Sequence, residues 1–144
     1  MKISECMSRD VHVCAPDNTL QSAAQTMAEI DAGFLPVGEN DRLIGIVTDR
    51  DIAIRGVAQG KPPEANIRDV MSGEVCYCFD DDDTDRVIEN MSELQVRRLP
   101  VVDHDKRLVG IVALSDLARG GARMAAGEAL KDIARPSAQH SQSL

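Results

Sequence analysis

The second half of this 144-residue chain repeats the first half. Residues 3–8 (Ile-Ser-Glu-Cys-Met-Ser) return 64 positions later as residues 67–72 (Ile-Arg-Asp-Val-Met-Ser). Three further pairs match at an offset of 64 or 65: residues 35–37 with 99–101, residues 45–47 with 110–112, and Asp51 with Asp116. A repeat of this length is a whole supersecondary unit, and two such units bury their apolar faces by packing about a pseudo-twofold axis. The repeat therefore predicts two similar halves and a ligand cleft between them.

The composition is that of one small acidic globular protein. Apolar residues make up 43% of the chain and aromatic residues only 2%, so the predicted core is aliphatic. The net charge of -8 argues against nucleic-acid binding, which needs basic surface to displace counterions. No stretch approaches the roughly 20 apolar residues that span a bilayer, and no signal segment is visible at the N-terminus. We therefore expect a cytoplasmic protein with no membrane contact, whose four cysteines stay reduced.

Each repeat shows the order strand, helix, strand, strand, helix. In the first repeat, Leu20, Ala23, Ala24 and Met27 have the spacing of one buried helical stripe. The predicted strands are residues 11–14, 34–37 and 43–47 in the first repeat and 75–78, 99–102 and 108–112 in the second. The pattern predicts a mixed α/β (α+β) fold of two β-α-β-β-α repeats. The expected boundaries are residues 1–60, a connector at 61–66, residues 67–121, and a C-terminal helix with a disordered tail at 122–144.

These elements resemble the CBS-domain family, which is named after cystathionine β-synthase. The resemblance rests on the order of elements, the paired Leu-Pro-Val strands and the segment Gly-Ile-Val-Thr-Asp-Arg-Asp at 45–51. Two repeats of this family form a CBS pair, or Bateman module, and the chain is similar to small stand-alone bacterial CBS-pair proteins. The resemblance implies a regulatory module that binds an adenosine ligand: AMP, ADP, ATP, NAD or S-adenosylmethionine. It also implies a homodimer with no required cofactor, and it leaves an effector protein open.

Thr48 and Asp51 stand at a predicted junction between strand and helix and have two interpretations. A threonine followed three residues later by a carboxylate is typical of a capping box, which only closes the start of a helix. Alternatively, free backbone N–H groups at a helix start suit a phosphate, and Thr48 can donate to it while Asp51 accepts from ribose hydroxyls. The resemblance favours the second interpretation, because family members use these two positions for the ribose and phosphate of adenosine ligands.

Two adjacent arginines, Arg97 and Arg98, precede a predicted buried strand, whereas the first repeat has Gly33 and Phe34 there. Such arginines need anionic partners, which are either carboxylates of the chain or a phosphate held by the guanidinium forks. In the resembled family, arginines here reach the phosphate of a ligand held by the other repeat. The implied first site comprises Thr48, Arg50, Asp51, Arg97 and Arg98, with Val13, Cys14 and Pro16 near the base.

The second repeat has Ala113 in place of the threonine, so the second site is predicted to be weaker. Its expected residues are Ser115, Asp116, Cys78, Gly33 and Phe34.

Catalytic and metal-binding functions have little support in the sequence. The pattern Cys76-Tyr77-Cys78 lacks zinc spacing, and the acidic run at 80–85 lacks the spacing of a calcium loop. We therefore predict no metal site and no enzyme. The alternative function is a scaffold or thiol-redox-responsive interaction protein with vestigial nucleotide clefts, in which Cys14, Cys76 and Cys78 would matter.

Overall fold

The computed structural model describes residues 1–120 and 123–135, which form two compact units. Unit 1 contains residues 1–11 together with 76–120 and 123–135, and unit 2 contains residues 12–75. The predicted mixed fold of helices and sheets is confirmed. The predicted disordered tail at 137–144 lies outside the described residues. Among the helices of the described part, none has both the length and the apolar character needed to cross a bilayer.

Unit 2 is built around a hairpin followed by a short helical segment. Its elements are α1 (Leu20–Ile30), β1 (Phe34–Glu39), β2 (Arg42–Thr48) and α2 (Asp49–Asp51), and α2 continues as a π-helical turn (Ile52–Gly56) and a 3-10 turn (Val57–Gln59). Thr19 caps the start of helix α1, because its side-chain oxygen accepts a hydrogen bond from the Ser22 N–H. Strands β1 and β2 are antiparallel, so that Phe34 lies opposite Thr48. The end of β2 is thereby placed beside the start of β1.

Unit 1 has the same plan with an additional helix. Its elements are β3 (Cys78–Phe79), α3 (Thr84–Leu94), β4 (Arg98–Val102), β5 (Leu108–Ala113), α4 (Leu114–Arg119) and α5 (Arg123–Ile133). Strand β4 lies between β3, which is parallel to it, and β5, which is antiparallel. Helix α5 packs on α3 and α4 and buries Ala126, Ala129 and Ile133 in the core of this unit.

The first predicted strand of each repeat is shorter than expected. In the first repeat it is reduced to one bridge, in which Cys14 N–H donates to Pro36 O and Cys14 O accepts from Gly38 N–H. The chain turns directly after Cys14, because the N–H groups of Ala15 and Asn18 bond within the turn and Pro16 has no N–H to donate. Pairing therefore cannot extend along the strand. In the second repeat only Cys78–Phe79 pair.

The repeated hexapeptide of each repeat lies in the unit formed by the other repeat. In unit 1, Ser8 and Ile111 exchange both backbone hydrogen bonds, at 2.8 and 2.9 Å. In unit 2, Ser72 and Ile46 do the same at 2.9 and 3.0 Å. Ile3 and Ile67, which begin the two hexapeptides, are fully buried. Each compact unit therefore combines residues of both sequence repeats.

Two equivalent glycines make this pairing possible. A Cβ atom on Gly110 would lie 2.7 Å from both Ser8 O and Met7 Sδ. A Cβ atom on Gly45 would lie 2.9 Å from Ser72 O and 3.0 Å from Met71 Sδ. Each distance to the serine carbonyl is shorter than carbon and oxygen atoms tolerate. The glycine of the repeated Gly-Ile-Val is therefore required for the close approach of the hexapeptide.

We predict that Gly110→Ala lowers the free energy of unfolding by about 1–3 kcal/mol, the usual cost of overpacking a closed contact. The matched control is Gly73→Ala, because a Cβ atom on Gly73 meets nothing within 4 Å. Urea unfolding followed by circular dichroism measures both variants. Equal stability of the two would show that the hexapeptide does not pack on Gly110 as described.

Candidate functional site

Thr48 and Asp51 form a complete capping box at the end of β2. The Asp51 N–H donates to Thr48 Oγ1 and the Thr48 N–H donates to Asp51 Oδ2, each at 3.0 Å. Both residues are buried, at 2% and 8% exposure. The capping interpretation of these two residues is therefore correct as a description of the local structure, and it fixes the orientation of the Asp51 carboxylate.

The second carboxylate oxygen of Asp51 remains available. Oδ1 lies 3.9 Å from Arg55 Nε, which balances its charge at a distance too long for a hydrogen bond. Arg55 is held there because its Nη1 donates to Val70 O at 3.4 Å. Oδ1 accepts no hydrogen bond within the described residues, yet it is not sealed from solvent. Asp51 Oδ1 can therefore accept a hydrogen bond from a ligand hydroxyl.

The N–H groups at this helix start are not free, contrary to expectation. The N–H of Asp49 donates to Gly33 O at 2.9 Å and that of Arg50 to Asp49 Oδ1 at 2.8 Å. The next two N–H groups, of Asp51 and Ile52, bond to Thr48 Oγ1 and Asp49 O. A phosphate bound here must consequently be recognised by side chains rather than by the backbone.

The equivalent position of unit 1 has only half of the capping box. The Ala113 N–H donates to Asp116 Oδ2 at 2.9 Å, but Ala113 has no hydroxyl to accept in return. The other oxygen, Asp116 Oδ1, accepts from Arg119 Nη2. The backbone junction is otherwise the same, since Leu114 N–H donates to Arg97 O just as Asp49 N–H donates to Gly33 O.

Arg97 and Arg98 are half-buried at the start of β4. Within residues 1–120 and 123–135, neither guanidinium forms an ion pair or a hydrogen bond. The carboxylate partners considered in the sequence interpretation are therefore not used. Two partly desolvated cations without anions are costly unless a ligand supplies the negative charge.

The remaining predicted residues divide between the two units. Unit 2 holds the exposed Arg50 and Val13, together with the buried Cys14, Pro16, Gly33 and Phe34. Unit 1 holds the exposed Ser115, the half-buried Asp116 and the buried Cys78. The structure thus brings Thr48 and Asp51 together, whereas the joining of either set with residues of the other unit stays a prediction.

Sequence reasoning missed Arg55 and Arg119 as partners of the two carboxylates. Each arginine follows its aspartate by four or three residues, a spacing at which side chains meet on one helix face. That spacing was the available signal. The π-helical turn that carries Arg55 had no signal in the sequence, although such turns are frequent at functional sites.

The two buried thiols have an environment that opposes thiol chemistry. Cys14 Sγ lies 3.5 Å from Pro36 O, and Cys78 Sγ lies 3.9 Å from Pro100 O in the equivalent place. Burial raises the pKa of Cys14 to about 11 and that of Cys78 to about 12. Because the thiolate is the reactive form, both residues are protonated and inert near neutral pH. This environment weakens the thiol-redox alternative.

A separate surface cluster in unit 1 combines Asp80, Asp81 and His104, whose polar atoms lie within 4.8 Å of one another. His104 Nε2 lies 2.7 Å from Asp81 Oδ2, and the ring of His104 stacks on Phe79 at 4.7 Å. The hydrogen bond with Asp81 raises the pKa of His104 and lowers that of Asp81. An ion pair therefore accounts for two of the three groups.

Comparison with known proteins assigns the chain to a family. The model of the CBS domain matches residues 3–56 and 67–122, and the chain belongs to this family, as a CBS pair. The predicted family is confirmed. The chain is 39% identical over 132 residues to the CBS domain-containing protein YhcV of Bacillus subtilis, covering 91% of this chain and 94% of YhcV.

Two similar proteins have solved structures with bound groups. Hypoxic response protein 1 of Mycobacterium tuberculosis is 39% identical over 136 residues, covering 93% of this chain and 94% of that protein. Its structure with two coordinated zinc ions has a TM-score of 0.75 over 83% of this chain and 98% of that chain. The CBS domain pair of MJ0100, in complex with 5'-methylthioadenosine and S-adenosyl-L-methionine, is 28% identical. Its TM-score is 0.73 over 84% of this chain and 99% of that chain.

We predict that Cys14 and Cys78 react slowly with iodoacetamide at pH 8 in the folded protein, because their raised pKa values keep them protonated. The half-buried Cys76 serves as the internal comparison, and the same protein in urea as the control for full reactivity. Mass spectrometry of each alkylated peptide gives the rates. Rapid alkylation of Cys14 in the folded protein would revive the thiol-redox alternative.

Proposed function

We propose that this protein is a non-catalytic regulatory module that binds a phosphorylated adenosine ligand: AMP, ADP, ATP or NAD. The observation that carries the proposal is the pair of half-buried arginines, Arg97 and Arg98, which lack any carboxylate partner in the described chain. Membership of the CBS family and the adenosine compounds bound to MJ0100 support the adenosine part.

Phosphate recognition by the arginines follows from the chemistry of the guanidinium group. Its planar fork donates two parallel hydrogen bonds to phosphate oxygens, and these charge-assisted bonds are about twice as strong as neutral ones. The backbone N–H groups at the start of α2 are already paired, so in this proposal the phosphate is recognised by side chains, namely those of Thr48, Arg50, Arg97 and Arg98. A ligand with phosphate is thereby favoured over S-adenosylmethionine, which has none.

Ribose recognition is assigned to Asp51. Its Oδ2 is fixed by the Thr48 N–H, so its Oδ1 has a defined direction and no hydrogen-bond donor of its own. A pair of vicinal hydroxyls supplies such donors. The capping box and the binding role are therefore compatible, because they use different oxygens of one carboxylate.

Signalling requires only that the ligand bind one arrangement of the module better than another. The shift in population is limited by that difference in affinity, and no bond in the ligand needs to break. In this proposal the module acts in the cytoplasm as a homodimer, and an effector protein reads its state.

We expect one adenosine ligand to raise the unfolding temperature in a panel of AMP, ADP, ATP, NAD, GTP and S-adenosylmethionine. A ligand at 100 times its dissociation constant adds about 2.7 kcal/mol to the free energy of unfolding. Asp51→Asn keeps an oxygen for the capping box but removes the charge, and should weaken binding at least tenfold. The control is Asp41→Asn, an equal charge change in an exposed turn where asparagine tolerates the positive φ of 62°. Circular dichroism monitors unfolding, and no shift with any compound would refute the proposal.

We predict that the double variant Arg97→Gln/Arg98→Gln weakens AMP binding about 10- to 100-fold while leaving adenosine binding nearly unchanged. The reason is that the arginines contact only the phosphate in this proposal. The matched control, Arg86→Gln/Arg107→Gln, removes two exposed arginines of the same unit. Isothermal titration calorimetry measures both ligands. Equal losses for AMP and adenosine would show that the arginines do not read the phosphate.

A further inference from the structure

Asp51 and Asp116 occupy equivalent positions but differ in what their second oxygen contacts. In both residues Oδ2 accepts from the N–H three residues earlier, at 3.0 and 2.9 Å. Among the described residues, the other oxygen of Asp51 has only Arg55 Nε nearby, at 3.9 Å. In Asp116 the other oxygen accepts a direct hydrogen bond from Arg119. The oxygen that is available in the first repeat is therefore occupied in the second.

The difference originates in how each arginine is held. Arg55 follows its aspartate by four residues, and its guanidinium also donates to Val70 O, which keeps it back from the carboxylate. Arg119 follows Asp116 by three residues on the regular helix α4. The guanidinium of Arg119 has no hydrogen bond or ion pair among the described residues other than that with Asp116. Nothing in the described chain draws Arg119 away from the carboxylate.

We propose that Arg119 is a specificity-determining residue that disfavours ligand binding at the second position, so that each chain binds its adenosine ligand preferentially at Asp51. This inference rests on the proposed function, since it concerns which of two equivalent carboxylates accepts a ribose. A ribose hydroxyl reaching Asp116 Oδ1 has to displace a guanidinium that already donates there. At Asp51 Oδ1 no donor is displaced.

The strength of the block is limited by the exposure of Arg119, whose side chain is 72% accessible. Exposed ion pairs of this kind are weak, so removal of Arg119 should strengthen binding at Asp116 by only about fivefold. Ala113 lowers affinity there independently, because it supplies no hydroxyl. The test therefore needs a background protein in which the first position no longer binds ligand and in which position 113 carries a threonine, as position 48 does.

The experiment uses the full chain with Asp51→Asn and Ala113→Thr as the background, titrated with adenosine and with AMP by calorimetry. Adding Arg119→Gln should strengthen binding about fivefold. The matched control adds Arg135→Gln instead, which removes another exposed arginine paired three residues back, with Asp132. Thermal unfolding checks that every variant is folded.

Equal affinities of the Arg119→Gln and Arg135→Gln proteins, or no binding by either, would overturn the block by Arg119. So would a wild-type protein that binds two adenosine ligands per chain with similar affinity. Failure of the proposed function appears differently, as a wild-type protein that binds neither adenosine nor AMP.

Discussion

The pairing of each hexapeptide with a glycine-containing strand is the constraint on which the rest of the structure depends. Ser8 pairs with Ile111 and Ser72 with Ile46, and in each case the adjacent glycine admits the chain at a distance that no Cβ atom allows. Because the hexapeptide of one repeat completes the unit of the other, neither repeat contains a whole unit. The chain must therefore fold across its own repeat boundary, and the buried Ile3 and Ile67 anchor that exchange.

The strand that receives the hexapeptide also leads into the site. Strand β2 ends at Thr48 and β5 ends at Ala113, and at both ends a backbone N–H is tied to the carbonyl just before the preceding strand, Gly33 O or Arg97 O. Within each unit, this junction fixes the carboxylate in the same way relative to its own strand end, because one oxygen accepts a hydrogen bond from the N–H three residues earlier. Beyond this junction the repeats differ in one hydroxyl, which Thr48 has and Ala113 lacks, and in the helix that follows, which is a π-helical turn after Asp51 and a regular helix at α4. The arginine that follows each aspartate therefore lies at 3.9 Å from Asp51 but forms a direct hydrogen bond with Asp116.

Charge distribution connects this scaffold to a ligand. The chain is acidic overall, yet Arg97 and Arg98 are half-buried and unpaired among the described residues, while Arg68 and Arg119 on the surface have carboxylate partners. Unpaired cations in a protein with 24 carboxylates are not explained by a shortage of partners. In the proposed function, an anion that enters from solution pairs with them, which is the reason for proposing a phosphorylated ligand.

The repeat is visible when the two halves of the sequence are compared, and the helices α1 and α3, both hairpins and the capping box could be predicted because each depends on residues close together in the chain. The periodicity of apolar residues and the spacing of Thr48 and Asp51 are local signals of that kind. The packing of the elements, by contrast, establishes which unit each hexapeptide joins, that Gly33 O accepts a hydrogen bond from the Asp49 N–H, and that Arg97 and Arg98 have no carboxylate partner in the part of the chain that the structure describes. Packing also keeps Arg55 at 3.9 Å from Asp51, whereas Arg119 forms a hydrogen bond with Asp116. Arg55 is held by the carbonyl of Val70, which lies 15 residues away in the chain. Contacts between distant residues depend on how the elements pack, and no local spacing records them.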